Sequence, residues 1–308
     1  MDLLTDDDVV TRIDVVDTVA TIELALREHA NGTLHAPPRW SIDVADGGLR
    51  FTCGAATGDL SALGFRVYDT FATDSPEHTQ LVCVFDADTG AFRGLISGYE
   101  VGVMRTAGID GVAIDRFARD DASTLGVLGA GTQAKAHAEA AAAVRNIDTV
   151  RVYSPTPASR EAFADEVGPN VDATIEVCDG PESVVRGADV LVCATNSEEP
   201  VFDADCLDAG THVTTVGRKF EDAHELPLAV VDRADAIVTD SRAQVEAYHE
   251  TVAPFFLDDD QRARMRELGA VVVGDEPGRT GDDELTLFCS VGLAGTEVVL
   301  ADEILRRE

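Results

Sequence analysis

The sequence predicts an α/β protein in two parts: a doubly wound parallel sheet, and an α+β portion built on an antiparallel sheet. Three observations carry this. Beyond residue 120, short apolar strands alternate with helical stretches. A glycine-rich turn, Gly129-Ala130-Gly131-Thr132-Gln133-Ala134, joins one such strand directly to an alanine-rich helix. Between Arg39 and Ser97 the chain breaks instead into short β runs. The 308 residues are enough for two domains, and the 45% hydrophobic content is enough for their cores.

The chain is expected to open helical. Thr5 and Asp8 have the spacing of a capping box, and after Asp14 the residues Val15, Val19, Ile22 and Leu26 recur at helical spacing until Asn31-Gly32. Strands are expected at Leu49–Ala55, Leu63–Asp69, Gln80–Asp86 and Phe92–Ser97, the last two joined by the turn residues Asp86 to Gly90. A helix from Tyr99 to Ala118 comes next. The parallel sheet is then expected from Thr124–Leu128, Val150–Tyr153, Ala173–Val177, Val190–Cys193, His212–Val216 and Ala236–Thr239. The closing strand Glu284–Phe288 and the helix Leu293–Arg307 fall outside this repeat, so they are expected to return to the first part.

Charge excludes some functions. Against 57 Asp and Glu stand 24 Lys and Arg, a formal net charge of −33. Such a surface repels nucleic acid and anionic membranes. Lys135 and Lys219 are the only lysines. Acid enrichment with this depletion of Lys points to a protein working in concentrated salt, with an ordinary acidic protein as the alternative. The six cysteines form no C-x-x-C pair and no metal-ligand spacing, so reduced thiols and no metal are expected. The start Met1-Asp2-Leu3-Leu4 has no basic, apolar leader, and no apolar run reaches the ~20 residues of a membrane span. The protein reads as soluble and cytoplasmic.

The glycine turn carries the clearest chemistry. Gly129 permits the tight turn, Gly131 lets a pyrophosphate approach the backbone, and Ala134 allows close helix–strand packing. The helix N-terminus, with Thr132 and Gln133, faces the phosphates. Cofactor choice depends on the end of the next strand, where an NAD site carries an acid for the ribose hydroxyls. Here the chain reads Tyr153-Ser154-Pro155-Thr156 with no acid. Ser154, Thr156 and Arg160 offer donors to a 2′-phosphate, so NADP(H) is favoured over NAD(H). For Arg160, a solvated place at the helix start is the alternative.

Five stretches together resemble the ornithine cyclodeaminase/mu-crystallin family: Arg105-Thr106-Ala107, the glycine turn, Ala188 to Ser197, Gly210-Thr211-His212-Val213 through Gly217, and Thr286-Leu287-Phe288-Cys289-Ser290-Val291-Gly292-Leu293-Ala294. The resemblance implies a Rossmann dinucleotide-binding domain, residues 119–284, inserted into a substrate and dimerisation domain made of residues 1–118 and 285–308. It also implies a homodimer. Arg39, in Pro37-Pro38-Arg39, and Arg105 match the two arginines that hold a substrate carboxylate. A bidentate grip there would present the α-carbon of a small amino or imino acid. From composition alone each arginine would read as a surface ion pair. Thr79, Thr195, Val216 and Ser290 match positions near substrate or nicotinamide.

Two departures bear on mechanism. The family's catalytic lysine corresponds to Arg66, which does not release a proton at physiological pH. Where a catalytic Asp is expected, after Gly217, the chain has Lys219, with Glu221 and Asp222 close by. The reading is therefore an NAD(P)-dependent oxidoreductase that transfers hydride at C2 of a small imino or amino acid, with cyclic ketimine reduction first. Arg39, Arg66 and Arg105 hold the carboxylate, and Lys219 is the proton donor. Ornithine cyclodeamination and alanine dehydrogenation are the alternative reactions. A ligand-binding protein like mu-crystallin is the alternative of another class.

The charge generates a first prediction. Self-repulsion at low ionic strength should destabilise the compact state, and salt shortens the screening length from about 10 Å at 0.1 M to about 3 Å at 1 M. The melting temperature is expected to rise between dilute buffer and molar KCl; a flat response would remove the reading.

Overall fold

The computed structural model describes residues 2–71 and 80–307. Thr79 lies outside them. The chain divides into two compact units, Met1–Arg105 with Gly292–Glu308, and Thr106–Val291.

In the first unit, alternating apolar residues produce an antiparallel sheet. Strands Gly47–Ala56, Ala62–Asp69, Leu81–Phe85 and Phe92–Ser97 pair in succession, and Leu34–His35 and Trp40–Val44 join the free side of Gly47–Ala56. Thr52, Gly54 and Ala56 alternate with Gly64 and Arg66 of the next strand on the buried face. Helix Thr296–Arg306 packs on these strands and on helix Val15–Ala30. Glycine makes that approach close: a Cβ on Gly64 would lie 3.2 Å from Val298. On the opposite face are Phe51, Cys53, Leu63, Phe65 and Phe85, with Trp40 stacked on Phe51 at 4.3 Å.

The chain opens on a strand rather than a helix. Asp2–Thr5 runs parallel to Phe92–Ser97, and only then does helix Asp6–Arg12 begin. Four residues with one buried position, Leu4, were too short for alternation to register. The cap itself forms, since the Thr5 amide donates to Asp8 Oδ2 at 2.9 Å. A second cap at Asp14, accepting from the Asp17 amide at 2.8 Å, starts Val15–Ala30.

The second unit is a parallel sheet in the order Thr174–Val177, Thr149–Tyr153, Thr124–Leu128, Val190–Cys193, His212–Thr215, Thr286–Cys289, Ala236–Thr239, Arg266–Glu267. Apolar clusters lie on both of its faces. That burial explains why Val190–Cys193 reads as a continuous apolar run rather than an alternating one.

Two expected boundaries move. Strand Thr286–Cys289 does not leave the repeat; it fills the place between His212–Thr215 and Ala236–Thr239. Only the segment after Val291 returns to the first unit. At the other end, the division falls inside helix Glu100–Phe117, between Arg105 and Thr106, instead of after Ala118. A boundary within a continuous helix leaves no turn or composition signal in the sequence.

A buried polar chain runs through the second unit. Thr214 donates to Asp110 Oδ1 at 2.6 Å, and His212 Nδ1 lies 2.8 Å from the Thr286 hydroxyl. Burial pushes the Asp110 carboxyl up to about 7 against the pull of the Thr214 bond, and Oδ2 has no hydrogen-bond partner among the described residues. Burial likewise depresses His212 to about 3, aided by the charges of Arg279 and Arg145. With its folded pKa above the unfolded value, Asp110 stabilises while protonated, and that contribution is lost as pH rises toward 7. Asp110→Asn, which cannot ionise, is therefore expected to gain melting temperature relative to the parent between about pH 5 and about pH 8. A pH-independent difference would show that Asp110 ionises freely.

Candidate functional site

In the first unit, three arginines from distant parts of the sequence converge. Arg66 and Arg105 are each only 6% exposed, and Arg39 is half-buried. Arg66 reaches the helical segment at Gly102, where a Cβ would lie 2.6 Å from its Nη2. Gly292, at φ 85°, brings the other two together: a Cβ there would lie 2.6 Å from Arg105 Nη1 and 2.8 Å from Arg39 Nη2. Arg39 Nη2 also donates to the Gly292 carbonyl at 3.3 Å.

Partners that the sequence reading missed hold this group. Gln80 Oε1 accepts from Arg66 Nε at 2.8 Å and from its Nη2. The Arg66 guanidinium lies over the Tyr68 ring, 4.4 Å from its centroid, and Arg39 Nη1 donates to Tyr68 Oη at 3.3 Å. Glu297 is fully buried beside them and accepts from the Thr52 hydroxyl. Its burial raises the carboxyl pKa, but the charges of Arg105 and Arg66 and the Thr52 bond outweigh this, leaving it below the ordinary value. Burial, then the charge of Arg105, depresses Arg66 to about 10 against the pull of Glu297, so Arg66 stays cationic at neutral pH. Arg105 Nε and Nη1 are buried with no hydrogen-bond partner among the described residues. A buried guanidinium with idle donors next to two more fits a carboxylate.

In the second unit, strand Thr124–Leu128 ends at Gly129, whose φ of 111° requires glycine. Gly131 caps helix Thr132–Val144, and Ala134 is fully buried against the sheet. The loop borders a cleft of about 620 Å³ lined by Gly129, Ala130, Gly131, Tyr153, Ser154 and Thr195 among others. A Cβ added to Gly131 meets no atom within 4 Å. The space beside this backbone and the helix N-terminus suit a pyrophosphate. No carboxylate lines the cleft among the described residues. Ser154 lines it; Thr156 caps helix Pro157–Val167. Arg160 stacks on Tyr153 at 5.4 Å and donates to the Cys178 carbonyl, so it is not the solvated helix-start residue of the alternative reading.

One carboxylate organises the strand ends bordering the cleft. Glu225, fully buried, accepts from the Thr195 amide at 2.8 Å, the Thr195 hydroxyl at 2.7 Å, the Thr215 hydroxyl at 2.8 Å and the Gly217 amide at 2.6 Å. Thr195 is thus part of the scaffold. The Val216 amide donates to the Cys193 carbonyl at 2.8 Å and that of Ser290 to the Thr215 carbonyl at 3.1 Å. Sequence offered no sign of Glu225, one acid among many.

Lys219 is 7% exposed and sits on the short pairing of Lys219–Phe220 with Ala223–His224. Its Nζ donates to the Gly217 carbonyl at 2.6 Å, and its charge acts on His137, Cys193 and Cys289. Glu221 and Asp222 are exposed.

A parallel sheet with a phosphate-fitting glycine turn, and another unit that gathers guanidinium groups, define the class: an α/β protein of the dinucleotide-binding type. The chain belongs to the ornithine cyclodeaminase/mu-crystallin family, whose pattern matches residues 1–307. It is 31% identical over 303 residues to a Delta(1)-pyrroline-2-carboxylate reductase of Bacillus cereus, covering 94% of this chain and 91% of that one. Among solved structures it resembles the Thermococcus litoralis Delta(1)-pyrroline-2-carboxylate reductase in complex with NADH and L-proline, with a TM-score of 0.88, 28% identity, and 99% and 96% of the two chains covered. An archaeal alanine dehydrogenase dimer with bound NAD gives a TM-score of 0.86 at 25% identity over 98% and 94%.

The open space at Gly131 separates folding from binding. Gly131→Val should fold, since its φ of −83° is ordinary and no atom obstructs the side chain, yet it should abolish nicotinamide dinucleotide binding in a fluorescence titration. Unchanged affinity in the folded variant would make the loop a turn only.

Proposed function

We propose that this protein is a nicotinamide-dependent oxidoreductase that reduces a small cyclic imine bearing a carboxylate. The observation that carries the reading is the buried Arg105 guanidinium, with idle Nε and Nη1 donors beside Gly292 and in the company of Arg39 and Arg66. Arg66 and Arg105 are buried close enough to repel one another, and a substrate carboxylate would offset that like charge. The named reductase relatives support the imine as substrate.

Arg105 and Arg39 grip the carboxylate and fix the orientation of C2, while Arg66, held by Gln80 and Tyr68, supplies positive charge without moving a proton. The turn from Gly129 to Ala134 binds the pyrophosphate, with Thr195 and Ser290 on the strand ends and Val216 beside them. A bound reduced nicotinamide supplies the hydride. NADPH is favoured over NADH because the cleft lining carries no acid to repel a 2′-phosphate and Ser154 offers a hydroxyl. The outward apolar face with Trp40, Phe51 and Phe65 supports a homodimer.

Consumption of NADPH and NADH is the test, with Delta(1)-pyrroline-2-carboxylate and its six-membered analogue as substrates and ornithine and alanine as competitors. Imine-dependent oxidation of the cofactor is expected. Cofactor binding with no turnover of any of them would favour the ligand-binding alternative. Arg105→Ala is expected to lose about 1.5–3 kcal/mol of transition-state stabilisation, roughly 10- to 150-fold in kcat/KM. Wild-type kinetics would remove Arg105 from the site. Tighter binding of NADH than NADPH in parallel titrations would overturn the cofactor preference.

A further inference from the structure

Imine reduction needs a proton as well as a hydride, and neither Arg66 nor the other two arginines can give one up at neutral pH. We propose that the Tyr68 hydroxyl delivers it, an inference that rests on the imine-reductase reading above. Tyr68 stands two residues beyond Arg66 on strand Ala62–Asp69, so both side chains emerge on the same face of the sheet. Its oxygen accepts from Arg39 Nη1 at 3.3 Å, and among the described residues no acceptor takes its own proton. The hydroxyl is thus hydrogen-bonded through its lone pair to a carboxylate-holding guanidinium, with its O–H bond still to be used. In an α-imino acid, C2 carries both the carboxylate and the nitrogen. A donor for that nitrogen must therefore lie beside the groups that grip the carboxylate, which is where Tyr68 stands.

The step balances with Tyr68 as the acid. The hydride forms the new C2–H bond, the C=N π pair moves onto nitrogen, and nitrogen takes the Tyr68 proton. The phenolate left behind is faced by Arg39 at its oxygen and by Arg66 over its ring. Tyr68 is half-buried rather than sealed, so water can return the proton between turnovers. Lys219 belongs to the other unit, with its ammonium on the Gly217 carbonyl. In this proposal it orders the turn that follows strand His212–Thr215 and does not supply the proton.

Tyr68→Phe keeps the ring under Arg66 and removes only the hydroxyl. It is expected to lose about 10²–10⁴-fold in kcat for imine reduction. Calorimetric binding of pyrrole-2-carboxylate, a flat unreactive carboxylate, to the cofactor-free protein should stay within about threefold of the parent. Turnover within a few-fold of the parent would overturn the proposal, as would a loss of analogue binding as large as the loss of turnover. Lys219→Met, measured in parallel, should keep its turnover within about tenfold; a loss in the range expected for Tyr68→Phe, with Tyr68→Phe unaffected, would return the proton to Lys219. If the parent protein turns over no cyclic imine, the reductase reading fails first and this proposal with it. Active parent and active Tyr68→Phe would sink the Tyr68 assignment alone.

Discussion

Positive charge held out of water is the constraint around which the first unit is arranged. Arg66 and Arg105 are nearly closed off from solvent and repel one another, an arrangement that folding would ordinarily avoid. Glu297 makes it tolerable. Placed in the first turn of helix Thr296–Arg306, that carboxylate lies beside both guanidiniums, and the helix N-terminus itself favours a negative group. Secondary structure answers the same need. The helix bearing Gly102 and the turn at Gly292 both bring backbone without side chains up to guanidinium groups. A methyl group at either glycine would occupy the place of a charge.

The second unit solves a related problem with the opposite sign. Glu225 is buried as completely as Glu297, but it is held by four N–H and O–H donors from two strand ends. Hydrogen bonds to a carboxylate are stronger than those between neutral groups, so one acid holds Thr195, Thr215 and Gly217 in register. The strand ends that border the cleft are therefore tied to one another through a single side chain. Asp110 and His212, both fully buried in this unit, are pushed toward their neutral forms by the same lack of solvent, His212 completely so at neutral pH.

Much of this was legible in the amino-acid sequence, and the rest was hidden for definable reasons. The parallel strands from Thr124 to Thr239 and the glycine turn announced themselves because each is short, continuous and local. Arg39 and Arg105 were found through motifs. Tyr68, Gln80 and Glu297 escaped notice since each is an unremarked residue until the fold brings it against Arg66, and a chain with 57 acids gives no reason to single one out. The strand Thr286–Cys289 was assigned to the wrong unit for a topological reason: its place in the sheet lies between strands that precede it by dozens of residues, and no periodicity reports strand order. The division inside helix Glu100–Phe117 was invisible for the complementary reason, that the helix is continuous across it.

That late strand also bears on how the polypeptide is made. A ribosome releases the chain from the amino end, so His212–Thr215 and Ala236–Thr239 emerge with a gap between them that only Thr286–Cys289 can close. The antiparallel sheet waits too, because its buried face and its neutralising Glu297 arrive with Thr296–Arg306. Neither unit can therefore finish before these segments have been made. Both are completed by segments made late, through contacts between residues far apart in sequence, the kind that form slowly and leave strand edges exposed meanwhile. For a nascent chain this acidic, like-charge repulsion between partly folded copies is then a protection against aggregation during that interval, independent of any role it has in the finished protein.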